Sequence, residues 1–245
     1  MTGIRILDLN IWNYNEPWTE RRDLIVDLIR RTTPDMVALQ EIRYHEERTE
    51  PRHQADQLLA GLTGYTCVWQ PAHYWPPEPG NPADDFPSVG GKRWEGLAIL
   101  SRHPVVDHAI ARLSRDADDP RDSFQRLVLG AQVRTPDGPF WLFDTHFPLS
   151  ERARNRVVVE AFHFLTRTAG GQPFAFAGDL NASPEDLPIR FLTGQAGIDG
   201  CRGNLVDAWI ACHPDEPGNT FSAWDPRRRI DYLFVPRTVE IAGIS

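Results

Sequence analysis

At 245 residues and 27.8 kDa the chain has the length of one large domain, 1–245, and its apolar fraction of 41% with eight tryptophans is ample for a sizeable core. The net charge of −8 argues against a protein that holds nucleic acid mainly by electrostatic attraction, because counterion release needs a concentration of basic side chains. Three cysteines without CxxC spacing exclude a disulfide framework and a zinc site, and no apolar run is long enough to cross a bilayer. With no signal sequence ahead of the first strand, the expectation is a cytoplasmic chain with no stable membrane insertion.

In chain order, "GIRILDLNIWN" has the β-branched and leucine content of a strand, with Ile4, Ile6, Asp8 and Asn10 on one face and Leu7, Leu9 and Ile11 on the other. "TERRDLIVDLIRR" predicts an amphipathic helix capped by Thr19, with Leu24, Ile25, Leu28 and Ile29 as its buried stripe. "TTPD" breaks it, and "MVALQE" reads as a short buried strand ending at Glu41. Residues 71–93 are rich in proline, glycine and aromatic side chains and predict a long loop, of the kind that often lies over a functional site. "GLAILSR" is the next strand, and "RLVLGAQVRTPDGPFWLFDTHF" gives two more joined by a tight "TPDG" turn. A second helix follows, with Ser150 at its N-cap, Val157, Val158, Ala161, Phe162 and Leu165 as its buried stripe, and two glycines that stop it. "PFAFAGD" and "RIDYLFVP" complete the strands. Many strands and few helices call for sheets packed on sheets with helices outside.

Polar residues close several of these apolar strands: Asn10, Glu41, His146, and Asp179 with Asn181. One such ending is ordinary; four in separate places suggest that they converge on one cleft. Asn10 and Glu41 offer hard oxygens, the kind that hold Mg²⁺ together with several waters, and such an ion polarises a phosphoryl oxygen. Asp179 can orient or activate a water, Asn181 can donate to a phosphate oxygen, and a protonated His146 can donate to developing charge or a leaving group. No activated serine or cysteine nucleophile is evident, so direct attack by water is the simplest chemistry.

The segments "LNIWN", "LQE", "EGLAILSRHPV", "DTHF", "GDLN" and "RIDYLFV", in that order over residues 4–235, resemble the endonuclease/exonuclease/phosphatase superfamily. That resemblance implies an α/β four-layer α/β/β/α sandwich of two mixed sheets flanked by helices, and a site for Mg²⁺, with Mn²⁺ as a substitute. It places Asn10 and Glu41 at the metal, His146 on the scissile phosphate, and Asp179 with Asn181 on water and phosphate. It puts Arg126 opposite the phosphate, Glu95 behind the histidine, and Asp207 at a recurrent position that a helix N-terminus explains equally well. Asp231 matches an aspartate that orients a second histidine from an "SDH" segment further on. Here only "PRTVEIAGIS" follows Val235, so the expectation is a missing or truncated last strand, open ladder positions beside Asn10, and weak hydrolysis.

The function these readings imply is a Mg²⁺-dependent phosphodiesterase acting on nucleic acid or a phospholipid headgroup. A phosphomonoesterase and a non-catalytic binding module are the alternatives. Tyr74, Trp75, Phe86 and Trp94 of the aromatic loop are candidates to stack bases.

Overall fold

A computed structural model describes residues 3–48, 53–75 and 93–245. Its elements are β1 (Ile6–Asn10), α1 (Trp18–Thr32), β2 (Met36–His45), α2 (Gln54–Leu59), β3 (Thr66–Tyr74), β4 (Arg93–Ser101), β5 (Val105–Arg112), β6 (Leu127–Thr135) and β7 (Gly138–His146). They continue with α3 (Glu151–Ala169), β8 (Phe174–Asp179), α4 (Leu187–Leu192), β9 (Leu205–Asp207), α5 (Ala208–Cys212) and β10 (Asp231–Pro236). One sheet has the order β1-β2-β4-β3 and the other β5-β6-β7-β8-β10-β9. Each is mixed, because β1 runs parallel to β2 and β7 parallel to β8 while the other pairs are antiparallel.

Strand periodicity divides the interior into three apolar layers. In β2, Val37 and Leu39 pack with Val26 and Ile29 of α1 and Leu58 of α2, while Met36 and Ala38 face the opposite sheet. In β8, Phe174 and Phe176 pack under α3 and α4, while Ala175 and Ala177 face inward. In β8 the small inner residues and the aromatic outer ones match the helices' need for bulk on that side, while Leu, Ile and Val fill most of the layer between the sheets. The result is the α/β/β/α sandwich expected from the resemblance. No helix among the described residues is long and apolar enough to cross a membrane.

Helix α3 follows the sequence reading closely: the Ser150 hydroxyl accepts from the Ala153 amide, the expected stripe is buried, and Gly170 ends the helix with φ 55°. Helix α1 departs from it. The helix begins at Trp18, so Thr19 lies inside the first turn and no side chain caps it; Leu24 is exposed, and Trp18, Ile25, Val26 and Ile29 are the buried residues. Trp18 is anchored because its indole donates to Gln57 of α2, a contact between helices that helical spacing does not reveal.

The expected loop over 71–93 is also redrawn at both ends. Residues 71–74 continue β3, and Trp94 lies in β4, where its ring stacks on Trp69 and Tyr44 in the core. Residues 76–92, with Phe86, lie outside the described residues. At the far edge of the first sheet, β1 pairs only with β2 among the described strands.

Candidate active site

The parallel register of β7 and β8 sets His146 beside Asp179, and the antiparallel register of β8 and β10 sets Asp179 beside Asp231. His146 and Asp179 thus close β7 and β8 at the level where Asp231 opens β10. A slip of one residue would turn every buried side chain of a strand to the wrong face, so burial of Phe174 and Phe176 fixes where Asp179 stands. The Phe147 amide donates to the Asp179 carbonyl at 2.8 Å and continues the ladder past the strand ends.

On the other sheet, β1 brings Asn10 opposite Gln40. The sequence reading ended β2 at Glu41, but the strand runs on to His45 and carries a bulge between Leu39 and Ile42. Simple alternation would send Glu41 toward α1 and α2 along with Leu39. Instead Glu41 adopts φ 58°, a left-handed conformation costly for a non-glycine residue, and its carboxylate turns toward Asn10.

One amide joins the two sheets. Asn10 Nδ2 donates to Glu41 Oε1 at 3.0 Å and to Asp179 Oδ2 at 3.1 Å, across 169 residues of sequence. Asn13 Nδ2 donates to the second Glu41 oxygen at 2.7 Å. His146 Nε2 lies 3.8 Å from Asp179 Oδ2, and the Asn181 amide N–H donates to Asp179 Oδ1 at 2.9 Å. The Asn181 side-chain nitrogen donates to the Phe147 carbonyl at 3.0 Å, which fixes the amide's orientation.

Burial, followed by the charge of Asp231, pushes the Asp179 carboxyl up to about 7 against hydrogen bonds from Asn181 and Asn10. Glu41 is raised by burial and by Glu95, and Asp231 by burial, with a hydrogen bond from Thr220 opposing it. Burial and the nearby Arg126 guanidinium hold His146 well below the usual histidine range. The sequence reading took this imidazole as protonated; its buried setting disfavours that charged form.

Behind the centre, His73, Glu95, Gly96, Arg126 and His146 line one cavity. Glu95 accepts from Arg43 Nε at 2.8 Å and has His73 Nε2 at 3.5 Å, so its ion-pair partners are these two rather than His146. Burial opposes ionisation of Glu95, but His73, Arg43 and Arg126 together hold its carboxyl at about 2. The Arg43 guanidinium lies 3.9 Å from the centre of the Trp75 ring, a cation–π contact that orients it. Arg126 is not a solvated strand start. It sits within the field of Glu95, Glu41, Asp179 and Asp122, and its buried Nε has no hydrogen-bond partner.

Asp207 stands apart from this centre. It caps α5 through the amides of Trp209 and Ile210 and holds the buried Arg229 in two hydrogen bonds. Its position is that of a clamp on the segment leading into Asp231. Among the described residues no histidine forms an ion pair with Asp231; its N–H donates to the Thr220 hydroxyl at 3.3 Å.

Sequence reasoning missed Asn13, Arg43 and His73. Asn13 could have been suspected from the asparagine spacing of "NIWNYN", whereas Arg43 and His73 carry no local signal and reach the site through sheet pairing.

Known proteins share this architecture. Human Nocturnin's catalytic domain superposes with a TM-score of 0.67 at 21% identity, covering 96% of this chain and 83% of that one. A mannosyl-6-phosphatase of Bacteroides thetaiotaomicron superposes at 0.71 with 17% identity, covering 96% and 86%. An endonuclease/exonuclease/phosphatase of Bacteroides vulgatus gives 0.69 with 20% identity, covering 97% and 88%. An uncharacterised protein of Acanthamoeba polyphaga mimivirus is 23% identical over 181 residues, which span 69% of this chain and 61% of that relative, less than two thirds of its length. The profile of the Endonuclease/Exonuclease/phosphatase family matches residues 9–245, nearly the whole chain and every strand-end residue described above. With that match and this architecture together, the chain belongs to the endonuclease/exonuclease/phosphatase family.

Proposed function

We propose that the chain is a divalent-metal-dependent phosphoesterase, a phosphodiesterase first, that hydrolyses its substrate by in-line attack of water. The observation that carries this reading is the single Asn10 amide bonded to Glu41 and Asp179, with His146 beside them. Family members act on phosphate esters, which agrees with this chemistry.

The donor set suits a hard cation. Among the described residues no three His, Cys, Asp or Glu side chains form a metal-ligand group, yet Glu41 is a half-buried carboxylate turned toward Asn10. Mg²⁺ commonly takes one or two protein oxygens and keeps waters and a substrate phosphate for the rest. Glu41 would hold it, with the Asn10 amide oxygen, which already accepts from the Trp12 N–H at 2.9 Å. When bound, such an ion supplies Lewis-acid polarisation of a phosphoryl oxygen.

The chain's own groups supply the remainder. Asp179, oriented by the Asn181 amide and Asn10, takes the proton of the attacking water. As the new P–O bond forms, the ester P–O bond opposite it breaks and the leaving oxygen takes a proton from solvent water. His146 offers a ring N–H to a phosphoryl oxygen, and Arg126, which lines the same cavity, adds positive charge beside it.

The test is hydrolysis of plasmid DNA, RNA, sphingomyelin, a sugar monophosphate and bis-p-nitrophenyl phosphate with Mg²⁺, Mn²⁺ or EDTA. Activity should require the ion and fall about 10²–10⁴-fold in Asp179→Ala and His146→Ala. Turnover that survives chelation removes the metal, and variants as active as the parent remove the site.

A further inference from the structure

Two tryptophans stand in solvent at the rim of this centre. Trp224 is 79% exposed and Trp12 47%, and their ring centroids are 6.4 Å apart at 62°. Large apolar side chains exposed together are the informative exception on a soluble surface. Both belong to ordered loops rather than to frayed chain.

The loop carrying Trp12 is over-determined. Arg21 donates to the carbonyls of Ile11, Asn13 and Asn15, and this holds Trp12 at φ 57° and Asn13 at φ 44°. Two consecutive left-handed non-glycine residues are costly and persist only when the surroundings enforce them. The Trp12 amide donates to Asn10 Oδ1, so the loop carrying the ring is tied to the residue that bonds Glu41 and Asp179. Trp224 sits on a loop closed by a bridge between Phe221 and Arg228, whose base is tied to the site because the Thr220 hydroxyl accepts from the amides of Ile230 and Asp231. The two rings therefore meet between the chain leaving Asn10 and the chain entering Asp231.

Charge decides what such a surface takes. The Arg21 guanidinium lies 5.5 Å from the Trp12 ring centre, and Arg228 lies 5.3 Å from the Phe221 ring centre. A quaternary ammonium headgroup seeks open aromatic faces without neighbouring cations, so these two arginines repel it. A neutral planar ring on an anionic ester meets no such opposition. Its ring can lie on the open face of Trp224 while its phosphate reaches the Asn10–Asp179 centre.

We propose that Trp224, braced by Trp12, is a stacking platform for the heteroaromatic base of a nucleotide ester whose phosphate occupies the Asn10–Asp179 centre. This inference rests on the phosphoesterase reading and adds the chemical class of the organic group. Trp224 and Trp12 act on specificity, so they govern binding of the base and leave the bond-breaking groups untouched.

The experiment is titration calorimetry of the whole chain with adenosine 5′-monophosphate, ribose 5-phosphate and phosphocholine, each with Mg²⁺. It is run on the parent, Trp224→Ala, Trp224→Phe, Trp12→Ala and Asp179→Ala, with sedimentation of the parent alongside. The adenosine ester should bind about tenfold tighter than ribose 5-phosphate. Trp224→Ala should erase that preference without changing ribose 5-phosphate affinity, Trp224→Phe should restore most of it, and Trp12→Ala should reduce it. In hydrolysis of a dinucleotide, Trp224→Ala should raise KM and leave kcat near the parent's. Equal affinities for the two phosphates in the parent, or tightest binding of phosphocholine, overturns the platform while the phosphate centre stands. Dimers that dissociate in Trp224→Ala also overturn it, since the rings would then cover a second copy of the chain. If no phosphate binds and Asp179→Ala changes nothing, the phosphoesterase reading fails along with it.

Discussion

Replacing Arg229 with methionine isolates the clamp that sets the start of β10. The guanidinium reaches Asp207 through hydrogen bonds of 3.0 and 2.8 Å, and the two side chains are only 3% and 7% exposed. Methionine keeps the apolar stem but leaves the Asp207 carboxylate buried, with the amides of Trp209 and Ile210 as its remaining partners. Removing one member of a buried pair costs about 3–5 kcal/mol. Because those two amides still hold part of the charge, the lower end applies, about 3 kcal/mol. At about 2–4 °C per kcal/mol for a chain of this size, Arg229→Met should melt about 6–12 °C below the parent. The double variant Asp207→Asn with Arg229→Met removes both charges and should recover a large part of that loss. The consequence reaches the centre, since the Ile230 carbonyl next to Arg229 accepts from the Leu180 amide next to Asp179 at 2.8 Å. Activity should therefore fall at temperatures where the variant is still folded. Calorimetric melts of the parent, the single variants Asp207→Asn and Arg229→Met, and the double variant at neutral pH decide the matter. A single variant within about 2 °C of the parent, or a double variant whose loss equals the sum of the singles, refutes the clamp.

Glu95 makes stability sensitive to acid. Its carboxyl is held at about 2, below the 4.5 of a free glutamate, so its contribution is fully present above about 4.5 and is lost as pH falls toward 2. That difference corresponds to about 3 kcal/mol, and Glu95→Gln should flatten this part of a urea-stability profile measured across the same pH range. Gly178→Ala should cost about 3 kcal/mol or more in denaturant melts, because φ is 141° and an added Cβ would stand 2.1 Å from the Thr145 carbonyl oxygen. Gln40→Leu removes the amide that donates at 2.8 Å to Asp8 and at 2.6 Å to Asp144 between the sheets. The buried Asp144 and the half-buried Asp8 would lose their shared donor, and a loss of about 3 kcal/mol in the same assay is expected; a neutral result would show that the two carboxyls need no donor.

Much of this molecule is legible along the chain. Period-two alternation over "GIRILDLN" and "PFAFAGD" places Asn10 and Asp179 at strand ends, and capping chemistry places α3 from Ser150 to Gly170. Those signals are local, so a reader of the sequence recovers the elements and the residues they deliver. Other parts of the site obey no local rule. Alternation alone would point Glu41 at the helices, and only pairing with β4 creates the bulge that turns it inward. Glu95 meets His73 and Arg43 because three strands stand side by side, and Trp94 is buried because Trp69 and Tyr44 flank it.

The order of residues determined which side chains face inward and which strands end in a polar group, since backbone geometry repeats every two residues in a strand and about every 3.6 in a helix. Tertiary packing decided which of those groups touch. Asn10 and Asp179 are 169 residues apart, Gln40 and Asp144 are 104 apart, and neither distance along the chain says anything about contact. Contact comes from two sheets closing face to face over a shared aliphatic layer. Their spacing brings one asparagine amide within reach of two carboxylates and leaves Trp12 and Trp224 exposed.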